Sequence, residues 1–570
     1  MSYIREQSEG LSFQLLHIAG LAELCQLDPF THADQDTVTA LLETAADFAG
    51  DQLLPLAASG DRAGCQLDGT GVRLPPGTQA IYQTWCDLGF PALGLPQDID
   101  GLGLPRVVVS AVQELCDGAN LAFGMLCINL RCAALAIRKS ANDSQKARWL
   151  AGLVSGNLSS TIVISEAQAG SDAGRISTVA RLQADGSYQL TGSKIWISYG
   201  DHDVTAEILH LVLARIPGAE IGSRGLSLFA APKTLDGIAN GVNVLRLEHK
   251  MGLHASPTCV LEFNDAKAEL VGEPGKGLQA LFVMMNSMRL AVAVQGAAIA
   301  NAATIQAIKY AAERPQGGSA SAPPINIIEH ADVRRMLLEM TAESELMRAL
   351  ALRIASFLDN AEAGATAANP QAHDWQSMAE LMLPVAKTYN AETAFTVANL
   401  GIQVMGGYGY TSDYPMERMA RDIRVAAIYE GTSGIQAMDF VKRKVLADNA
   451  VTLNRLLSVI DAALESGASP FQTGWACVRA LLTSRVAALL AAVQQQPKAD
   501  NGSAYAMLQL TALVLHCWNG HCLYTAASDS VLLQQRLRTA LVYFADSVTA
   551  KAALWANRSE SEIPSIYYAK

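Results

Sequence analysis

Several features that membrane and secreted proteins share are missing from this sequence. No run of about 18 apolar residues is free of charge, so no membrane span is expected. The N-terminal stretch does not place basic residues ahead of an apolar run, as a signal peptide would. The ten cysteines include no Cys-x-x-Cys pair and no repeated spacing, which argues against disulfides. We therefore expect a soluble, cytoplasmic protein.

Further absences narrow the possible function. The net charge is −12, so neither nucleic acid nor an anionic membrane is expected as the main partner. No Gly-x-Gly-x-x-Gly follows a predicted strand, so a Rossmann dinucleotide site is not supported. The pairs His516-Cys517 and His521-Cys522 could suggest metal ligands, but their spacing does not place both pairs on one helix face. Ordinary packing is the preferred interpretation, and no metal is expected.

The chain of 570 residues is too long for one hydrophobic core, and its periodicity changes along the sequence. Helical patterning predicts an N-terminal helical domain over 1–158. Short apolar runs separated by turn residues predict a small β-barrel domain over 159–275. Helical patterns then predict a four-helix-bundle domain over 276–446 and an additional helical domain over 447–570. The predicted fold is mainly α with a central small β-barrel.

Turn-forming residues predict where chain segments are joined. The glycine- and proline-rich stretch 85–105 is typical of a connector between helices. Asp185-Gly186 lies between two alternating runs and predicts a β-hairpin. A low-complexity loop is predicted over 360–374, and 494–502 is predicted to separate two helical patterns.

The stretch that begins near residue 403 carries the most chemical information. Gly406 and Gly407 let the backbone turn sharply and approach a ligand without a Cβ in the way. Glu430 is followed by Gly431 and Thr432, so its carboxylate could be a base with backbone N–H and hydroxyl donors beside it. From the residues alone, a turn joining two helices is an equal alternative.

This stretch resembles the C-terminal signature of the acyl-CoA dehydrogenase family. In that signature a Gln-x-x-Gly-Gly-x-Gly loop precedes an Ile-Tyr-Glu-Gly-Thr run, and here the two motifs begin at Gln403 and Ile428. The resemblance covers most of the chain, and the extra length at both ends is similar to a long branch of the family. It implies that the cofactor is FAD, that Glu430 is the catalytic base, and that the flavin N5 accepts the hydride.

Two motifs in the predicted β-domain extend the resemblance. The segment from Ile164 to Asp172 is similar to the family's Val-Thr-Glu-Pro-x-Ala-Gly-Ser-Asp loop, which contacts flavin and acyl-CoA. Ser165 keeps the hydroxyl of the family's threonine, whereas Ala167 replaces the proline and leaves the loop less constrained. Ile195–Ser198 corresponds to the family's Trp-Ile-Thr, whose tryptophan covers a flavin face. By periodicity alone, an ordinary core aromatic is the favoured interpretation of that tryptophan.

Two arginines match family positions in the predicted bundle. Arg289 lies where the family keeps an arginine near the substrate, although a helix-surface ion pair is the common alternative. Arg314 corresponds to the arginine that reaches the FAD diphosphate of a neighbouring subunit, while Gly317 lacks the usual phenylalanine. We therefore expect a homodimer.

The resemblance implies a full set of candidate site residues and partners. The implied cofactor-binding residues are Ile164, Ser165, Ser171, Trp196, Ser198, Arg314, Gln316, Gln403, Gly406, Gly407, Thr432 and Gly434. The implied substrate-binding residues are Ser171, Arg289 and Gly431. The implied reaction converts an acyl-CoA to a trans-2-enoyl-CoA and passes electrons to an acceptor such as electron-transfer flavoprotein. The alternatives are an acyl-CoA oxidase, a dehydrogenase of a carrier-protein-bound acyl thioester, and a flavin-free binding module.

Overall fold

A computed structural model describes residues 3–495 and 503–560. The separating stretch 494–502 therefore lies almost entirely outside the described residues. Contacts divide the chain into two compact units. One, here called the helical unit, comprises Met1–Ala46, Pro105–Gly118 and Arg289–Lys570; the other, the barrel unit, comprises Asp47–Leu104 and Ala119–Met288. Because both units are discontinuous in sequence, the four consecutive domains stay a prediction.

Eighteen α-helices account for most of the described chain. In chain order they are α1 (Tyr3–His17), α2 (Leu21–Leu24), α3 (Gln35–Phe48), α4 (Leu54–Ala63), α5 (Thr78–Asp87), α6 (Arg106–Ala119), α7 (Leu121–Ser140), α8 (Asp143–Ser155), α9 (Gly277–Glu313), α10 (Ala331–Thr366), α11 (Ala372–Met405), α12 (Gly407–Tyr410), α13 (Met416–Ile423), α14 (Ser433–Asp439), α15 (Val451–Leu464), α16 (Phe471–Gln495), α17 (Ala504–Ala526) and α18 (Leu532–Glu560).

Eleven strands form the sheets of the described residues. They are β1 (Gln66–Asp68), β2 (Gly71–Arg73), β3 (Leu158–Val163), β4 (Val179–Leu182), β5 (Tyr188–Ser198), β6 (Glu207–Arg215), β7 (Leu226–Pro232), β8 (Thr234–Leu235), β9 (Ile238–Ala239), β10 (Val242–Leu247) and β11 (Thr258–Val271). The short hairpin of β1 and β2 is a departure from the all-helical segment predicted at the N-terminal end.

The central sheet closes into a small barrel. Strand β11 pairs with β5 and β7, β7 pairs with β6, and β4 joins β5 to β6, which completes the ring. Strands β3 and β10 extend it at β6 and β11. Alternate residues of the strands point inwards, and Leu190, Val212, Phe229, Leu261 and Phe263 are buried in one cluster. The predicted hairpin at Asp185-Gly186 is the turn between β4 and β5.

The helical unit contains one long helix pair and one group of three helices. Helices α10 and α11 pack along their lengths, and α16, α17 and α18 pack against one another. Helix α17 also contacts α10, α11 and α14, so the additional C-terminal helices are continuous with the bundle. The loop predicted over 360–374 is wrong in extent, because α10 runs to Thr366 and α11 starts at Ala372. Alanine, which dominates that stretch, has the highest helix propensity of any residue.

Among the described residues, three helices are long and apolar enough to cross a membrane, judged by length and composition alone. They are Leu121–Ser140, Gly277–Glu313 and Phe471–Gln494. The most apolar windows of the first two are 83% and 65% buried, whereas that of the third is only 22% buried. The expectation that the chain has no membrane span therefore stays a prediction.

Candidate active site

The glycine-rich segment lines a cavity in the helical unit. Helix α11 ends at Met405, and Gly406 continues with a positive φ of 61°. The cavity has a volume of about 470 Å³ and is lined by Tyr310, Arg314, Gln316, Ile327, Val404, Met405, Gly406, Gly407, Tyr408 and Thr411. A Cβ built on Gly406 or Gly407 would meet no atom within 4 Å, so both backbone segments are open to a ligand. Gln403 lies one turn earlier on α11, outside the cavity lining.

Arg314 and Gln316 lie beside this cavity, the first in contact with an aromatic ring and the second held through its backbone. The guanidinium carbon of Arg314 lies 5.4 Å from the centre of the Tyr408 ring, in cation–π geometry. The backbone of Gln316 is fixed on both sides: its N–H donates to Ile325, and its carbonyl oxygen lies 2.7 Å from Nε2 of His330. A cation and open backbone around one cavity can bind an anionic, phosphate-like group.

Glu430 lies on a strained turn between α13 and α14. It has a positive φ of 55°, a conformation that costs a non-glycine residue about 1–2 kcal/mol. Two hydrogen bonds oppose this cost. Gln436 Nε2 donates to the Glu430 carbonyl oxygen at 2.8 Å, and Lys387 Nζ donates to the Gly431 carbonyl oxygen at 2.7 Å. Thr432 then caps α14 by accepting from the N–H of Ile435. Glu430 is thereby presented at a fixed position.

The charges around Glu430 act in opposite directions on its pKa. Burial raises the pKa above the ordinary glutamate value, while the positive charges of Lys387 and Arg289 lower it. Burial outweighs the two cations, so the pKa is raised overall. A carboxylate with a raised pKa is a stronger base once it is ionised, which suits proton abstraction near neutral pH.

Arg289 is committed to a buried ion pair. Its guanidinium lies 2.7 Å from a carboxylate oxygen of Asp439, and only 7% of the arginine is exposed. Asp439 also lies 3.2 Å from Arg443. Nε of Arg289 has no hydrogen-bond partner among the described residues. The structure therefore places Arg289 next to the end of α14, where it holds the helix that follows the Glu430 turn.

The loop 164–172 of the barrel unit is organised by a second buried ion pair. Lys194 Nζ lies 3.0 Å from Glu166 and donates to the carbonyl oxygen of Ile164 at 2.8 Å. Burial would raise the pKa of Glu166, but Lys194 and hydrogen bonds from Thr178 and Ser177 outweigh it and lower the pKa to about 2. Glu166 is thus charged at neutral pH and ties the loop to Lys194, Ser177 and Thr178.

Ser165 and Trp196 are connected through the same strand. The N–H of Ile195 donates to the Ser165 carbonyl oxygen at 2.9 Å. Trp196 follows with a positive φ of 63°, and 58% of the residue is exposed. It is therefore not an ordinary core aromatic in this unit. Ser171 is exposed on the loop, and Ser198 pairs with Thr258 at the end of β5.

The structure brings the predicted site residues together as two groups. The helical unit holds Arg289, Arg314, Gln316, Gln403, Gly406, Gly407, Glu430, Gly431, Thr432 and Gly434, and the barrel unit holds Ile164, Ser165, Ser171, Trp196 and Ser198. Sequence reasoning missed Lys387, Gln436 and the Glu166–Lys194 pair. A lysine in the apolar stretch Leu-Met-Leu-Pro-Val-Ala-Lys of α11 is the one signal that could have pointed to Lys387.

The histidine and cysteine pairs of α17 show no metal-ligand arrangement. Within residues 3–495 and 503–560, no three or more histidine, cysteine, aspartate or glutamate side chains form a group that could hold a metal ion. His516 is fully buried, and its ring centre lies 4.5 Å from that of Tyr389. Packing accounts for its position.

Comparison with known proteins identifies three consecutive family domains. Residues 35–157, 161–266 and 275–445 match the N-terminal, middle and C-terminal domains of acyl-CoA dehydrogenase. The chain is 38% identical over 556 residues to 3-methylmercaptopropionyl-CoA dehydrogenase of Ruegeria pomeroyi, covering 94% of each protein.

Solved structures have the same fold. An acyl-CoA dehydrogenase complexed with FAD from Bacillus anthracis superposes with a TM-score of 0.77 at 21% identity, over 96% of this chain and 92% of that one. A chain from the structure of the electron transferring flavoprotein of Acidaminococcus fermentans gives a TM-score of 0.60 at 26% identity, over 72% of this chain and 98% of that one. This protein belongs to the acyl-CoA dehydrogenase family.

Proposed function

We propose that Glu430 is the base with which this protein, an FAD-dependent acyl-CoA dehydrogenase, removes the α-proton of its substrate. The observation that carries the proposal is the Glu430 turn itself. A carboxylate of raised pKa sits at a positive φ, and Gln436 and Lys387 hold the carbonyl groups of two successive residues. Strain of this kind persists where the surrounding structure determines it, and it is concentrated at functional sites.

The cavity beside Gly406 supports a site for the phosphate groups of FAD. Arg314 supplies a positive charge, and the uncovered backbone at Gly406 and Gly407 leaves room for close approach. In the barrel unit, Ser165, Ser171 and Ser198 offer hydroxyl groups, and Trp196 offers an exposed aromatic face. These groups fit the charge and the aromatic ring system of the cofactor. FAD, when bound, supplies the acceptor for the hydride that leaves the β-carbon.

The chain's own groups must make the α-proton acidic enough to remove. The Glu430 carboxylate takes the proton only if negative charge developing on the thioester oxygen is stabilised by hydrogen bonds. We expect the backbone N–H of Glu430 to donate to that oxygen. Since the turn is fixed by Lys387 and Gln436, this donor is oriented before the substrate binds. The product is a trans-2-enoyl thioester.

We propose a linear acyl-CoA as the substrate, with 3-methylmercaptopropionyl-CoA as the first candidate. The relative that carries that name shares 38% identity with this chain over 94% of both lengths. Likeness to a chain from an electron transferring flavoprotein structure supports such a flavoprotein as the electron acceptor. We further propose that the protein acts as a homodimer in the cytoplasm, with Arg314 as a contact shared by cofactor and partner subunit.

The decisive experiment is anaerobic mixing of the FAD-loaded enzyme with a panel of thioesters while flavin absorbance is followed. The panel contains 3-methylmercaptopropionyl-CoA, butyryl-CoA, a long-chain acyl-CoA and an acyl-carrier-protein thioester. Bleaching by CoA thioesters supports the proposal, and bleaching by the carrier-protein thioester alone would replace it. Rapid reoxidation by oxygen without an added flavoprotein would favour an oxidase. No bleaching with any thioester would overturn the proposed function.

A further inference from the structure

The additional C-terminal helices reach the turn that carries Glu430 through one carboxylate. Glu392, on α11, accepts a hydrogen bond from the Ser433 hydroxyl at 2.5 Å. Its other oxygen accepts from the Tyr505 hydroxyl at 2.5 Å and from Gln509 Nε2 at 3.3 Å. Gln509 Nε2 also donates to the Tyr505 hydroxyl at 2.9 Å, which links the two donors. Tyr505 and Gln509 both lie on α17.

Ser433 occupies a sensitive position. It is the first residue of α14 and lies three residues after Glu430, directly beyond the cap at Thr432. A hydroxyl fixed here fixes where α14 begins, and the left-handed turn before it has little freedom left. The hydrogen bonds from Lys387 to Gly431 and from Ser433 to Glu392 both tie this turn to α11.

The Tyr505 side chain is itself held in place by the extension. Its ring centre lies 5.7 Å from that of Trp555 on α18, and Arg558 lies over the same tryptophan at 4.9 Å. Burial, together with its hydrogen bond to Glu392, raises the pKa of the Tyr505 hydroxyl, so the group stays protonated and donates near neutral pH. Gln509 is only 6% exposed. Both donors are therefore rigid parts of α17.

We infer that Tyr505 and Gln509 are positioning residues for the base, acting through Glu392 and Ser433 to set the turn that presents Glu430. This inference rests on the proposed role of Glu430. It assigns the C-terminal extension a part in the reaction: the extension supplies the hydroxyl and amide that orient one carboxylate. Hydrogen bonds to a carboxylate are among the stronger ones, so their loss should change the position of the turn.

The test uses the FAD-loaded full-length enzyme and four variants. Tyr505→Phe removes the hydroxyl and keeps the ring that packs against Trp555. Ser433→Ala removes the hydroxyl that donates to the other oxygen of Glu392. The double variant completes a double-mutant cycle. Tyr524→Phe is the matched control, because it removes a hydroxyl from the same helix at a site bonded to Arg538 rather than to Glu392.

Two readouts are needed. The first is the rate constant of flavin reduction at saturating acyl-CoA. We expect Tyr505→Phe to lower it about 10-fold to 100-fold, as displacement of a reacting group by a fraction of an ångström would. Substrate affinity should change little, and the effects of Tyr505→Phe and Ser433→Ala should be less than additive because both act through Glu392. Tyr524→Phe should react like the wild type.

The second readout does not require activity. Hydrogen exchange in a peptide spanning 428–437 should become about ten-fold faster in Tyr505→Phe, as loss of one charge-assisted hydrogen bond predicts, and stay unchanged in Tyr524→Phe. If wild-type flavin is not reduced by any acyl-CoA, the proposed function fails and exchange alone decides this inference. Exchange unchanged in Tyr505→Phe, or a strictly additive cycle, would overturn the inference.

Discussion

Nζ of Lys387 lies 2.7 Å from the carbonyl oxygen of Gly431, the residue that follows Glu430. The lysine is fully buried in α11, and burial lowers its pKa to about 8 despite the opposing influence of Glu430 and Glu392. At neutral pH it therefore still carries its charge. One side chain thus both holds the turn and favours the ionised form of the base.

Replacing Lys387 with methionine should impair the base in two ways. The Gly431 carbonyl loses its donor, and the pKa of Glu430 rises further because a cation that lowers it is gone. The rate of flavin reduction needs ionised Glu430, so its acid limb should move to higher pH by about one unit or more. Stopped-flow reduction between pH 5 and pH 9 measures this shift.

The matched control is Lys309→Met, which removes an exposed lysine from α9 in the same unit. Its pH profile should coincide with that of the wild type. If Lys387→Met lowers the rate equally at every pH, its charge has no influence on Glu430, and only the contact with Gly431 matters.

A second prediction concerns the buried pair in the barrel unit. Glu166→Gln leaves the fully buried Lys194 without its carboxylate, and breaking such a pair costs about 3–5 kcal/mol. In the wild type the pKa of Glu166 is about 2 in the folded state, below its ordinary value of 4.5. Its stabilising contribution is therefore present above pH 4.5 and is lost as the pH falls through 2.

Thermal unfolding followed by circular dichroism at several pH values checks this. The variant should melt lower than the wild type at pH 7, and the difference should shrink as the pH falls below 4.5. Glu262→Gln, an acidic residue on the neighbouring strand β11, serves as the control. If Glu166→Gln melts at the wild-type temperature at pH 7, Lys194 does not depend on Glu166 for its stabilisation.

The contrast between what the sequence predicted and what it missed has a simple physical basis. The motif of Glu430, Gly431 and Thr432 is consecutive, so the sequence itself shows it. Lys387 lies 44 residues before Gly431, and Tyr505 lies 113 residues after Glu392. Such partners meet only through the packing of helices, which periodicity does not specify.

The fold shows the same division between local and non-local information. The hairpin at Asp185-Gly186 was predictable because its turn residues and alternating strands are neighbours in sequence. The closure of the barrel through β7, which joins β6 to β11, depends on pairings between distant strands. Low complexity predicts a loop over 360–374, but the alanines of this stretch favour helix, and α10 continues to Thr366.

A third prediction concerns Arg314. If its guanidinium contacts the FAD diphosphate, Arg314→Ala should weaken FAD binding about 10-fold to 100-fold, the loss expected for a hydrogen bond to a charged group. Because anything that binds only the assembled form stabilises it, melting temperature and dimer content should fall as FAD is lost. FAD content after dilution and sedimentation velocity measure the two effects.

Arg334→Ala is the matched control, since Arg334 is an exposed arginine at the start of α10. It should retain FAD like the wild type. Full FAD occupancy of Arg314→Ala at dilute concentration would remove Arg314 from the cofactor site.

The last prediction tests the base directly. Glu430→Gln keeps the size of the side chain and one acceptor oxygen but cannot accept the α-proton, so flavin reduction should slow about 10²–10⁴-fold while FAD content stays unchanged. Since the folded-state pKa of Glu430 is raised, its charged form destabilises the folded protein above that pKa and not below the unfolded value of 4.5. Glu430→Gln should therefore melt higher than the wild type at pH 8, and this gain should vanish at pH 4. Anaerobic stopped-flow reduction and melting curves at both pH values measure the two effects, with Glu417→Gln, which loses a partly buried ion pair with Arg421, as control. Reduction within about three-fold of the wild-type rate, far short of the loss of a general base, would assign the base to another residue.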